Sequence, residues 1–178
     1  MKCTEMLIEE HDVILDRLNA MENWIKTKSE NDVSVVRNFI SFVKEYVDEY
    51  HHNKEEDFYF RWIIEKNPSF EKGPIACMLG EHNQGRDLIK AIEQCLQNHH
   101  FQKIDSLVLE FSQLLRNHIS KENSVLYKAA DQLDEESKDG DDLMLKEFKS
   151  INEKLKNTPR KFGIKSKEAS GNCCGSCS

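Results

Sequence analysis

Only three prolines and seven glycines interrupt 178 residues. A chain with so few breakers forms long helices unless its apolar residues alternate, and here they do not alternate. Over about 4–28, Leu7, Ile14, Leu18, Met21 and Ile25 recur at steps of three, four or seven, which is one helix face, with Thr4 placed as N-cap. Over about 32–66 the stripe is Val36, Phe39, Ile40, Val43, Val47, Phe58 and Trp62; it must stop before Pro68, because the residue preceding a proline avoids helical dihedrals. Lys72-Gly73-Pro74 opens a third helix, with Ile75, Met78, Leu79, Ile89, Ile92 and Leu96 on its stripe and its end near Asn98. A fourth, about 101–133, carries Ile104, Leu107, Val108, Phe111, Leu114, Leu115, Val125 and Ala129. Asp139-Gly140-Asp141 breaks it, and a shorter amphipathic piece over about 142–155 holds Leu145, Phe148 and Leu155. From Thr158 the chain is rich in Lys, Ser and Gly and reads as a disordered tail. The expected fold is all-α: an up-down-up-down antiparallel four-helix bundle with a short fifth helix over 1–157, then a flexible tail over 158–178.

Charge and composition narrow the function classes. The net charge of −7 disfavours nucleic acid, whose phosphates are held by basic faces. No run of about 18 apolar residues exists to span a membrane. The start MKCTEMLIEEHD has no apolar core of a secretion signal, so a cytoplasmic location is expected. Six cysteines in that setting read as reduced thiols rather than a disulfide framework.

Four of the seven histidines stand where the stripes call for apolar residues. His11 lies between Leu7 and Ile14, His51 four after Val47, His82 between Met78 and Ile89, and His118 between Leu114 and Val125. Two of them carry a carboxylate one turn on, His51 with Glu55 and His118 with Glu122, both within the pattern His-x-x-Lys-Glu. Positions i and i+4 share a helix face, so ring and carboxylate point the same way. In an antiparallel bundle, residues equidistant from a turn meet at one level, so the six side chains should converge. Such a layer is costly if unpaired. A metal resolves the cost: neutral imidazole and carboxylate suit iron, manganese or zinc, and glutamates from two helices can bridge two ions.

The set His11 … His51-x-x-x-Glu55 … His82 … His118-x-x-x-Glu122, with the phrases EEHDVI, HHNKEED, GPIACMLGEHNQGR and HISKENSVLY, resembles the hemerythrin-like (HHE cation-binding) family in its bacterial and archaeal branch. The resemblance covers about residues 1–135. It implies a non-haem centre of two iron ions, oxo- or hydroxo-bridged, held by His11, His51, Glu55, His82, His118 and Glu122. It also implies a small diatomic or peroxide ligand and a reductant the sequence does not identify. Oxygen-carrying members have a further histidine four residues after the third-helix ligand, and Arg86 stands there. Arginine cannot bind metal, so one iron is expected to keep an open position, which favours redox turnover over oxygen carriage. Arg86 needs an anionic partner, Glu81 or a bound anion.

Other residues have blander readings beside the sharper ones. His52 is expected to face solvent, since neighbours on an α-helix point about 100° apart; His99 and His100 carry no signal. Glu10 and Glu81, each preceding a candidate ligand, are more often surface charge than groups that orient a ligand, and Glu56 is exposed or a neighbour of the ligands. Tyr50, Tyr59 and Tyr127 read as packing rather than phenolate ligands. Cys173, Cys174 and Cys177 contain one CxxC, which could serve a redox or metal-transfer role but lacks a fourth ligand. The functional expectation is a di-iron protein that reacts with or binds oxygen, peroxide or nitric oxide. The alternative is a redox or iron sensor that signals through metal-dependent stability, with metal storage ranked below both.

Overall fold

The computed structural model describes residues 2–137, 140–155 and 157–162; for 134–137, 140–143 and 160 only the backbone is described. Every regular element among these residues is helical, as the stripes predict. Helix α1 is Cys3–Thr27. Helix α2 is a continuous run over 33–66, with α-helical ends Val33–Phe42 and Phe60–Lys66 and π-helical turns Val43–His52 and Glu55–Tyr59 between them. A 3₁₀ turn, Pro68–Phe70, and a kinked turn, Glu71–Ile75, lead into α3, Ala76–Gln97. Helix α4 runs over 101–137 and contains a further π-helical turn, Glu122–Leu126. Helix α5 is Gly140–Lys154 and α6 is Asn157–Lys161. No helix among the described residues is long and apolar enough to cross a membrane.

Two expected boundaries differ. Thr4 is not the cap of α1; Lys2 holds that position, its backbone N–H donating to Glu5, and the Thr4 hydroxyl donates to Asp131 on α4. A tail was expected from Thr158, but α6 forms over Asn157–Lys161 and Phe162 packs edge-on against Phe42 at 5.3 Å; the rest of the expected tail lies outside the described residues. The cysteines at 173, 174 and 177 lie outside the described residues.

The apolar core falls into two clusters with the polar layer between them. One is built from Ile14, Val36, Val47, Ile92, Val108 and their neighbours. The other joins Leu7, Phe60, Ile75 and Leu126 to Phe148 of α5. Helices α3 and α4 pack along their lengths, α1 packs on α4 and α2, and α5 touches α1, α2 and α4.

The stripes hold up to each His-x-x-Lys-Glu motif and slip by one residue after it. Phe58 and Trp62 were expected inside; Tyr59 and Ile63 are the buried residues. Val125 and Ala129 were expected inside; Val125 is 60 % exposed, and Leu126 and Ala130 are buried instead. The π-helical turns that begin at Glu55 and Glu122 explain both slips. An i→i+5 hydrogen bond takes one more residue per turn than i→i+4, so every side chain beyond it moves one position around the helix.

Candidate metal centre

His11, His51, His82, His118, Glu55 and Glu122 are all buried and come together as expected, each helix of the four long runs contributing at least one. Their donor atoms form two overlapping groups, each with ligand atoms within 4.8 Å of one another: His11, His51, Glu55 and Glu122 in one, and His52, Glu55, His82 and His118 in the other. Glu55 belongs to both. Glu122 also reaches both sides, with one oxygen 3.2 Å from His11 Nε2 and the other 3.2 Å from His118 Nε2.

His52 corrects the sequence reading. It is 6 % exposed, its ring stacks on His82 at 3.7 Å, and its Nε2 is buried without a hydrogen-bond partner. Neighbours point about 100° apart only on an α-helix. Val43–His52 is π-helical, and its wider turn brings His51 and His52 to the same interior. Position 86 carries no histidine, and His52 brings a third imidazole to the His82–His118 group.

Each of the five imidazoles is bound at Nδ1 by an oxygen. His11 Nδ1 donates to Asn123 at 2.8 Å, His51 to Glu10 at 2.9 Å, His52 to Asp48 at 3.4 Å, His82 to Glu56 at 2.7 Å and His118 to Glu81 at 3.1 Å. A ring that donates from Nδ1 offers the lone pair of Nε2, the arrangement that orients histidine ligands. Glu10 and Glu81 are thus not surface charges, and Glu56 is half-buried and holds His82. Asp48 and Asn123 carried no sequence signal beyond their spacing, four before His52 and one after Glu122.

Arg86 finds its anions in Asp48 and Glu56, at 2.7 Å each, rather than in Glu81, which pairs with Lys121. The pairings of Asp48 with His52 and Arg86 overcome its partial burial and hold its pKa at about 2. Lys54, which the sequence did not single out, is fully buried, pairs with Glu10 and sits 3.5 Å from the Tyr50 ring centre. Tyr127 packs as expected, its ring stacked on His11 at 5.6 Å, and its hydroxyl also donates to Glu55.

Protonation follows from burial and neighbours. Burial lowers the pKa of His51, His52 and His82, favouring the neutral ligand form. His118 is raised despite burial, because Glu122 and Glu81 favour its cation. Burial and the nearby Glu122 push Glu55 well up, whereas Glu122 is held low against burial by His118 and His11. Burial and both glutamates raise Tyr127, so it stays a donor.

The donor set fits a cation. The Nε2 atoms of His11, His51 and His52, Oε2 of Glu55 and both oxygens of Glu122 are buried without an aligned hydrogen bond, a cost that protein interiors rarely carry. Neutral nitrogen and carboxylate oxygen are the ligands of borderline divalent and trivalent metals. Residues 3–130 match the hemerythrin HHE cation-binding domain. No curated protein and no solved structure matches the chain. With the match spanning most of the chain and the donors meeting where its motifs place them, the chain belongs to the hemerythrin HHE cation-binding domain family.

Proposed function

We propose that the chain is a non-haem di-iron protein of antiparallel up-down-up-down bundle topology that binds or reacts with oxygen, peroxide or nitric oxide. The observation that carries this reading is the pair of overlapping donor groups, five imidazoles and two carboxylates, with Glu55 common to both. Seven donors with two shared carboxylates suit two ions better than one. His11 and His51 would hold one ion, His52, His82 and His118 the other, and Glu55 and Glu122 would bridge. Manganese or zinc would satisfy the same atoms. When bound, two irons supply a one-electron change each and a Lewis-acidic position for a small oxygen or nitrogen ligand.

The remaining residues orient and exclude. Asn123, Glu10, Asp48, Glu56 and Glu81 fix the five rings. Tyr127, Lys54 and the two apolar clusters keep water from the His11–His51 side. A sensor reading has one observation in its favour. Phe148 of α5 lies 6.4 Å from Tyr59, Tyr59 lies 5.6 Å from Tyr127, and Tyr127 holds Glu55. Metal loss would reach α5 through that stack.

Metal analysis and an optical spectrum of the purified protein test the proposal. About two irons per chain, with oxo-bridge bands lost in His118→Ala and weakened in His52→Ala, are expected. A colourless protein with zinc or no metal, unaltered by either substitution, would refute it. Repeated cycling with peroxide and a reductant would separate an enzyme from a sensor, which changes once per metal pair.

A further inference from the structure

A cleft of about 200 Å³ descends between α2, α3 and α4 to the imidazoles of His52, His82 and His118. Val43, Val47, Ile89, Phe111 and Leu115 form its walls. The side of the cluster formed by His11 and His51 does not line it. A small molecule reaching the donors by this cleft therefore meets the His52 side.

The cleft is too large for a diatomic alone. A water claims about 30 Å³ of liquid, so the space admits a body several times larger. Its charge argues against an anion. Lys44 at the rim already pairs with Glu93 at 3.1 Å, Lys90 with Asp87 at 3.0 Å, and Arg86 with Asp48 and Glu56. The walls are apolar, and Gly85 leaves them open opposite Phe111, where an added Cβ would lie 3.5 Å from the ring. An uncharged molecule with an apolar body and one oxygen-bearing head matches this shape.

We propose that the cleft binds the body of a small organic hydroperoxide, ROOH, and presents its O–O group to the His52, His82 and His118 side. The proposal rests on the di-iron reading and names the substrate class within it. Conversion of ROOH to ROH and water breaks the O–O bond and takes two electrons and two protons; a ferrous pair, when bound, would supply the electrons, one from each ion, and solvent at the cleft mouth would supply the protons.

The test uses the full chain as purified, with its iron measured, and a series of primary alcohols as unreactive ROH analogues. Binding is followed by the NMR shifts of Val, Leu and Ile methyls. In parallel, the optical bands are followed with hydrogen peroxide, tert-butyl hydroperoxide and cumene hydroperoxide. The expected affinity for the alcohols rises about fourfold per added methylene until the cleft is full, with shifts at Val43, Val47, Ile89 and Leu115. Gly85→Leu should flatten that rise. Leu114→Trp, at a half-buried position on the rim, should do the same if the first variant folds poorly. Chain-length-independent binding, or shifts elsewhere, in a protein whose bands respond to hydrogen peroxide overturns the cleft proposal and leaves the di-iron reading standing. A protein without iron bands overturns the di-iron reading, and the hydroperoxide with it, whatever the alcohols do.

Discussion

At the scale of single residues, the centre depends on groups that never meet the metal. Lys54 and Glu10 are an ion pair inside the bundle, and Glu10 in turn holds His51. Burial shifts both toward neutrality, raising Glu10 and lowering Lys54, so neither is content alone. Removing one partner of such a pair typically costs about 3–5 kcal/mol. Lys54→Met should destabilise the protein by that amount in a urea titration, and adding Glu10→Gln should recover part of it; a fully additive double variant would deny the coupling. Protons give a second check. His118 and Glu55 both have raised pKa values and must lose protons to act as ligands. Metal uptake near pH 6.5 should therefore release protons, and affinity should fall as the pH is lowered further. Calorimetry in buffers of different ionisation enthalpy reads that release directly, and zero release would contradict the protonation pattern.

At the scale of the element, the π-helical turns do most to convert motif into site. Val43–His52 brings His52 inward beside His51, and the two turns that begin at the motif glutamates shift the buried face by one residue beyond. The shift makes a sharp prediction on α4. Val125→Asp should change stability by less than about 0.5 kcal/mol, as surface substitutions do. Leu126→Asp places an unpaired charge in the second core cluster and should cost several kcal/mol, at least the roughly 2–5 of a buried Leu→Ala. Thermal melts of the two variants decide it: if Val125→Asp is the damaging one, α4 is a plain α-helix there and the register assigned to it is wrong.

At the scale of the whole molecule, the polar layer is sealed by an apolar cluster on either side, and α5 closes one of them. Phe148 is fully buried against Tyr59. Phe148→Ala should cost about 3–5 kcal/mol and should loosen metal retention through Tyr59 and Tyr127. A melt unchanged by this substitution would show α5 to be an appendage rather than part of the core. Much of this was legible in advance. The all-helical class, the four long helical runs, α5 and the convergence of the six motif histidines and glutamates follow from period, breakers and i,i+4 pairing, which are local properties of the chain.

The sequence by itself determined which residues could be ligands, because a histidine or glutamate on an apolar stripe is conspicuous at any single position. Tertiary structure alone decided how those helices are wound. A π-helical turn is locally unfavourable, and no residue type signals it. It persists where packing and buried polar groups from other helices favour the altered register. For that reason His52 read as exposed, Val125 read as core, and the partners of Arg86 were misassigned, although all three belong to recognisable motifs. The ring-orienting oxygens of Glu10, Asn123 and Glu81 come from helices other than those of the rings they hold, at separations of 37 to 112 residues. Pairings over such distances have no period to read, and only the folded chain brings them together.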